Sequence, residues 1–182
     1  MNTPIQPLMK EHRLIEKMLA QLTHELELIK EGIPPDIILL ERSGDFLCNF
    51  ADRIHHGKED ILFDRLESKG LSPMMRGMKK NLIREHKRFR EATWVLRRAL
   101  QSMRNGDERT LEIAKTLAFI TRFYSGHIQT EDGGFFIAML ELFSDEEMDE
   151  IMEEFEIFDR GKDHQRYQKM IEVVERKRKV EA

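Results

Sequence analysis

Four segments of the chain repeat an apolar residue every three or four positions, and each places one histidine in that repeat. These histidines are His12, His55, His86 and His127. A repeat of this kind is typical of the buried face of an amphipathic helix. In the fourth segment it continues through Gly134, Ala138 and Leu142. No run alternates as a strand would, so the sequence predicts an all-α fold.

Glycine and proline residues divide the four segments at three places, near Gly32, Gly70 and Gly106. Each break lies midway between two successive histidines; His12 and His55, for example, are centred on the first break. When two helices fold back on each other, residues equidistant from the turn come together. We therefore predict an up-down-up-down four-helix bundle with all four histidines at one level.

Two of the histidines are followed four residues later by a glutamate, His55 by Glu59 and His127 by Glu131. This spacing puts both side chains on one face of a helix. Buried carboxylates and imidazoles need compensation, which either a metal-free polar network or two divalent ions would supply. Mixed nitrogen and oxygen donors favour iron with open positions over structural zinc, with manganese as a further alternative.

Several neighbours of these residues have predicted roles of their own. His56 is rotated by about 100° from His55, so we predict that it points to the side of the bundle, as a surface or outer residue. His56 would replace His55 as a metal ligand only if the helix were wound differently there. Tyr124 is predicted to fill the core, and Asp60 and Asp132 to orient ligating imidazoles.

The end of the chain is predicted to form an extension of two helices. Ser144 and Glu147 have the spacing of a capping box, which marks a new helix start. We therefore divide the chain into a bundle, residues 1–143, and an extension, residues 144–182. The extension either covers the bundle or forms a dimer contact. His164 lies in it and has no partner that the sequence reveals.

Composition narrows the class of protein. Charged residues make up 35% of the chain, yet the net charge is only −4, which argues against a nucleic-acid-binding protein. The single cysteine, Cys48, excludes an internal disulfide and fits a reducing compartment. No apolar run reaches the length of a membrane span, and no secretory signal is visible. We expect a cytoplasmic protein without a membrane or nucleic-acid partner.

The histidines and glutamates form the pattern H…HxxxE…H…HxxxE, which resembles that of hemerythrin-like, HHE cation-binding proteins. Two segments, residues 55–63 (HHGKEDILF) and 131–136 (EDGGFF), also resemble sequence segments of that family. The resemblance extends over about residues 8–143. It implies a four-helix bundle with two iron ions, bridged by the two glutamates and an oxo or hydroxo group. The ligands it implies are His12, His55, Glu59, His86, His127 and Glu131.

One departure from the family concerns oxygen carriage. Oxygen-carrying hemerythrins have a second histidine four residues from the third-helix ligand, whereas Leu82 and Arg90 flank His86 at that spacing. The carriers also end in HxxxxD, a spacing that Asp132 mimics, although Glu131 fits the helical repeat better. The layout is closer to bacterial iron-centre repair proteins and to sensors built on the same bundle.

These features support three hypotheses about function. The first is a di-iron protein that binds or reacts with O2, NO or peroxide in sensing, stress defence or iron handling. The second is an iron-responsive binding module that signals through a partner protein without turnover. The third is a metal-free structural bundle. The sequence leaves open whether the protein is an enzyme, and we expect the small ligand and a homodimer contact as its partners.

Overall fold

The computed structural model describes the backbone of residues 3–181 and the side chains of residues 3–176. Every regular element within that range is helical, which confirms the predicted all-α fold. None of the described helices is long and apolar enough to cross a membrane.

Six continuous helices follow one another in residues 3–181, and four of them form a bundle. The first bundle helix is Ile5–Lys30 and the third is Pro73–Arg104. The second comprises Ile37–Phe46, a π-helical stretch Leu47–His56, Gly57–Arg65 and a 3₁₀ turn Leu66–Ser68. The fourth comprises Thr110–Thr130, a π-helical stretch Glu131–Phe135 and Phe136–Leu140. The first and second C-terminal helices are Asp145–Asp159 and His164–Glu181.

The breaks between the bundle helices lie where glycine and proline predict them. Gly32 and Gly106 end the first and third helices with φ of 89° and 93°, a left-handed conformation that glycine adopts without strain. The third helix begins at Ser72, whose hydroxyl accepts a hydrogen bond from the backbone N–H of Met75, and Pro73 occupies its first turn.

Two apolar clusters fill the bundle, one on each side of the histidine level. In the first helix, Ile15 belongs to one cluster and Leu8 to the other, with His12 between them in sequence. In the third helix, Phe89 and Leu82 flank His86 in the same way. The fourth helix packs on both the first and the third, and the third packs on the second. The polar level is therefore closed off from water along the bundle axis.

Both π-helical stretches lie at the predicted His–Glu pairs and change which residues face inward. A π turn contains one residue more than an α turn, so the residues beyond it are rotated relative to an uninterrupted helix. The predicted inward residues Gly134, Ala138 and Leu142 are only half-buried, and Ala138 and Leu142 pack at the margin of the second apolar cluster. Phe135, Phe136 and Met139 are buried instead, where they extend the second apolar cluster.

The two C-terminal helices pack against the bundle. Ser144 and Glu147 form the expected capping box at the start of the first one. Phe155 of this helix is buried in the same apolar cluster as Phe63 of the second bundle helix. Tyr167 of the last helix packs against Phe50, with ring centres 5.5 Å apart. The domain division and the dimer contact remain predictions.

Candidate metal centre

The structure brings the six residues of the predicted site together at one level of the bundle. All six are buried. Together with His56, a seventh residue, they form two groups of four in which the donor atoms lie within 4.8 Å of one another. One group is His12, His55, Glu59 and Glu131; the other is His56, Glu59, His86 and His127. Glu59 belongs to both groups, so the two candidate sites share a carboxylate.

Each glutamate directs one oxygen to each side of the centre. For Glu59, Oε1 lies 3.2 Å from His55 Nε2 and Oε2 lies 3.1 Å from His86 Nε2. For Glu131, Oε2 lies 3.2 Å from His12 Nε2 and Oε1 lies 3.3 Å from His127 Nε2. Two carboxylates arranged in this way suit a pair of divalent ions that share both of them.

The inward-facing atoms of the centre lack hydrogen bonds within the described part of the chain. They are Nε2 of His12, His55, His86 and His127, together with both carboxylate oxygens of Glu59 and Glu131. Buried polar atoms without partners are rare in folded proteins, because each forfeits its hydration without compensation. Eight such atoms directed at one another are what bound cations would satisfy, so the donor set fits a metal centre.

The outer nitrogens of three of the histidines are held by carboxylates. Nδ1 of His12 lies 2.7 Å from Asp132 Oδ1, and Nδ1 of His127 lies 2.9 Å from Glu85 Oε2. Nδ1 of His55 lies 3.2 Å from Oε2 of Glu11. In the neutral imidazole that binds a metal, Nδ1–H donates to the carboxylate, the lone pair of Nε2 faces the centre, and the ring is held in that orientation.

Only one of these outer carboxylates was anticipated from the sequence. Asp132 has the predicted role, whereas Asp60 is exposed and forms no hydrogen bond with a histidine among the described residues. Glu11 and Glu85 were missed. Each directly precedes a site histidine in the sequence, which is a recognisable signal, but each contacts the histidine of a neighbouring helix.

Burial and the surrounding carboxylates shift the pKa values of the centre. Burial alone would lower the pKa of His12, but the hydrogen bond to Asp132 and the close carboxylate of Glu131 outweigh it and raise that pKa to about 11. For His55, burial is again opposed, mainly by the charge of Glu59, and the pKa rises to about 9. Burial would raise the pKa of Glu59, yet the charge of His55 and contacts with other histidines hold it well below its usual value. Without metal, the imidazoles of His12 and His55 are therefore protonated and the carboxylate of Glu59 is ionised.

His56 lies inside the bundle, so of its two predicted positions, at the surface or just outside the ligands, the structure excludes the surface. It is 1% exposed, and its ring stacks on that of His86 with centres 3.8 Å apart. The physical reason is the π-helical stretch Leu47–His56, which changes the rotation per residue just before the site. Burial, with the nearby charge of His86, lowers the pKa of His56 well below its usual value. This imidazole is therefore neutral.

Tyr124 fills the core as predicted and also makes a polar contact. Its ring stacks on Phe89 with centres 4.1 Å apart. Its hydroxyl lies 2.8 Å from Nε2 of the neutral His56, and it donates this hydrogen bond when the imidazole proton is on Nδ1, the nitrogen that faces Asp52. Burial raises the pKa of Tyr124 well above its usual value, so the phenol keeps its proton. The other nitrogen of His56, Nδ1, lies 3.5 Å from Asp52.

A buried lysine connects the centre to the C-terminal helices. Lys58 is 2% exposed, and its Nζ lies 2.6 Å from Oε1 of Glu11 and 2.6 Å from Oδ2 of Asp159. His164 approaches the same Asp159, at 3.1 Å, which is a partner that the sequence did not reveal. Glu11, Asp159 and His164 could themselves hold a metal ion. The lysine ammonium already provides the positive charge between the two carboxylates.

Comparison with known proteins agrees with this geometry. A family model described as "Hemerythrin HHE cation binding domain" matches residues 3–139. The matched range includes all six residues of the predicted site and ends before the C-terminal helices begin. No curated protein and no solved structure matches the chain.

Proposed function

The chain belongs to the hemerythrin HHE cation-binding family, and from this premise we propose that it is a cytoplasmic non-haem di-iron protein. In this proposal it binds or reacts with a small oxidant or gas (O2, NO or peroxide) in sensing, stress defence or iron handling. The observation that supports it most directly is the pair of buried glutamates, each with one oxygen towards each set of histidines.

The proposed ligands divide between the two ions. His12 and His55 would hold one ion, His86 and His127 the other, with Glu59 and Glu131 between them. His56 is left outside this set, because its Nε2 already accepts the hydrogen bond of Tyr124 and its Nδ1 faces Asp52. Two redox-active ions with open positions would supply the one- and two-electron chemistry that small oxidants require.

The side chains around the centre have three proposed tasks. Asp132, Glu11 and Glu85 keep the imidazoles oriented, so that the ligand geometry exists before metal arrives. The two apolar clusters exclude water along the bundle axis. The protonated phenol of Tyr124 remains a hydrogen-bond donor near the centre.

Iron suits this donor set better than the other metals. Four imidazoles and two carboxylates are intermediate to hard donors, and the only cysteine, Cys48, is not among them. A structural zinc site would instead close a tetrahedron around a single ion. Manganese accepts the same donors and would bind less tightly in the usual order of divalent metals.

The test is anaerobic reconstitution with ferrous iron, followed by metal analysis, Mössbauer spectroscopy and optical spectroscopy in air. We expect about two irons per chain and visible absorption that develops with oxygen. The double variant Glu59→Leu/Glu131→Leu should lose this iron. Zinc at one ion per chain with no iron uptake, or unchanged metal content in the double variant, would contradict the proposal.

A second candidate function is an iron-responsive binding module that signals through a partner without turnover. The observation that favours it is the connection from His55 through Glu11 and Lys58 to Asp159, which joins the centre to the C-terminal helices. Thermal melting with and without iron separates the two functions. A large rise in melting temperature with no consumption of peroxide or NO favours the module, because ligand binding then acts only on stability.

The arrangement of the chain around the centre is part of the same proposal. We propose that the four bundle helices alternate in direction, as the midway positions of the turns predict. Residues 1–143 then form the metal-binding unit and residues 144–182 its cover. A homodimer contact through the C-terminal helices would be detected as a doubled mass in analytical ultracentrifugation.

A further inference from the structure

A cavity of about 540 Å³ opens between the second, third and fourth bundle helices. Its walls are largely apolar and include Leu47, Phe89 and Ile120. At its inner end lie His56 and Tyr124, the pair that borders the metal centre. A volume of this size is typical of sites for small organic molecules and far exceeds what a diatomic gas needs.

Three arginines place positive charge along one side of the cavity. Arg90, Arg97 and Arg98 line it, all from the third helix. Arg90 is neutralised by Asp52, with Nη2 2.7 Å from Oδ1 and Nε 2.9 Å from Oδ2. Among the described residues, Arg97 and Arg98 form no ion pair with a carboxylate, although Arg98 lies over the ring of Trp94 at 5.2 Å. Two arginines therefore remain for a ligand at the rim.

We propose that this cavity binds an organic anion whose apolar body enters it and whose carboxylate pairs with Arg97 and Arg98. Apolar walls favour a hydrocarbon or aromatic body, and guanidinium groups bind carboxylates through two parallel hydrogen bonds. The surface of a docked protein would not reach the inner end of the cavity, because the residues there are buried: His56 is 1% exposed and Tyr124 is 2% exposed. The inference goes beyond the proposed function, and binding to this cavity requires no metal.

The chain contains its own probe for this binding. Trp94 is the only tryptophan, it lines the cavity, and it is 59% exposed. A ligand at the rim changes the polarity around its indole, so intrinsic fluorescence reports occupancy directly. The probes are octanoate, 1-octanol, which has the same chain without the charge, and acetate, which has the charge without the chain.

Titration of the full chain with each probe tests the proposal, with and without iron. Octanoate should give a saturable change in Trp94 fluorescence. Octanol should bind about tenfold more weakly, which corresponds to about 1.4 kcal/mol, and acetate should give no saturable change. An octanoate titration without saturation overturns the proposal, as does equal binding of octanol. Iron content is measured separately, so failure here is distinguishable from failure of the di-iron proposal.

Variants of the rim supply the matched control. Arg97→Gln/Arg98→Gln should weaken octanoate about tenfold, the estimated value of losing the charge-assisted contact, and leave octanol unchanged. Arg84→Gln removes an exposed arginine of the same helix that does not line the cavity, and it should bind octanoate normally. Equal octanoate affinity in the rim variant and Arg84→Gln overturns the proposal. So does a Trp94 signal that depends on protein concentration without ligand, since a second copy would then cover the cavity.

Discussion

The outer carboxylates set the chemistry of individual residues in this centre. Glu11 and Glu85 each stand directly before a site histidine, yet each accepts a hydrogen bond from the histidine of a neighbouring helix. One acidic side chain thereby connects two helices and fixes the direction of a ligand. Glu11 does more, because it also pairs with the buried Lys58.

Replacement of Glu11 tests how much the orientation of His55 contributes to metal affinity. In Glu11→Gln the shape is kept, but the negative charge that holds His55 and Lys58 is lost. We expect metal affinity to fall by about 10-fold or more, the usual effect of removing an outer hydrogen-bond partner of a metal ligand. Competition with a chelator of known affinity measures it.

The control is Glu27→Gln, which removes a carboxylate from the same helix. Glu27 pairs with the exposed Lys30, at 2.8 Å, and stands fifteen residues after His12, about 22 Å along the helix axis. Surface ion pairs of this kind contribute little, so this variant should keep the full metal affinity. Equal affinities in the two variants would show that Glu11 does not act on His55.

At the scale of helices, the close contact between Gly57 and Phe158 joins the bundle to the first C-terminal helix. A Cβ at position 57 would lie 2.4 Å from Cζ of Phe158, closer than carbon atoms approach. Gly57 also stands directly after the π-helical stretch, between His56 and Lys58. The glycine thus allows the extension to lie against the helix that carries His55 and Glu59.

Gly57→Ala should therefore destabilise the fold although alanine favours helices. We expect a net loss of about 1 kcal/mol, because displacing Phe158 costs about 1–3 kcal/mol and helix propensity returns about 1 kcal/mol. In a Phe158→Ala background the same change should stabilise by about 0.5–1 kcal/mol. Urea unfolding of the four proteins, all without metal, measures both values.

A matched control lies in the third helix. At Gly77 an added Cβ meets nothing within 4 Å. Gly77→Ala should therefore stabilise the protein by about 0.5–1 kcal/mol through helix propensity alone. A stabilising effect of Gly57→Ala in the unaltered chain would mean that Phe158 moves aside without loss of packing.

For the whole molecule, metal binding and folding are coupled through protons. The pKa values of His12 and His55 are raised to about 11 and about 9 in the folded, metal-free protein. The stability that results is fully present below about pH 6.5, the pKa of a histidine in the unfolded chain. This stability is lost as pH rises through 9 and then 11. The lowered pKa of Glu59 has the opposite sign, since its contribution is present above about pH 4.5 and is lost on acidification.

Divalent metal should therefore displace protons and bind more tightly as pH rises. At pH 7 both His12 and His55 are protonated without metal, and their Nε2 atoms must lose those protons to become ligands. We expect about two protons released from these residues for each filled centre. Calorimetric titration with zinc as a redox-inert ion, in buffers of different protonation enthalpy, measures the number. Release near zero would mean that both imidazoles are already neutral.

The helical class and the set of six converging residues follow from the sequence, because helix period and turn position are local properties that glycine, proline and the apolar repeat encode. His12, His55, His86 and His127 are equidistant from their turns, and no tertiary information is needed to align them. The family is also recognisable from the same residues, and the match over residues 3–139 confirms it.

The remaining features depend on how the helices are wound and rotated against each other. His56 is buried because a π-helical stretch changes the rotation per residue just before the site. A prediction that assumes a constant number of residues per helical turn does not detect such a change. Glu11 and Glu85 were missed because their partners lie on neighbouring helices, where contact depends on rotation about each helix axis. The burial of Lys58 and the cavity behind His56 likewise arise only once separate helices are packed together.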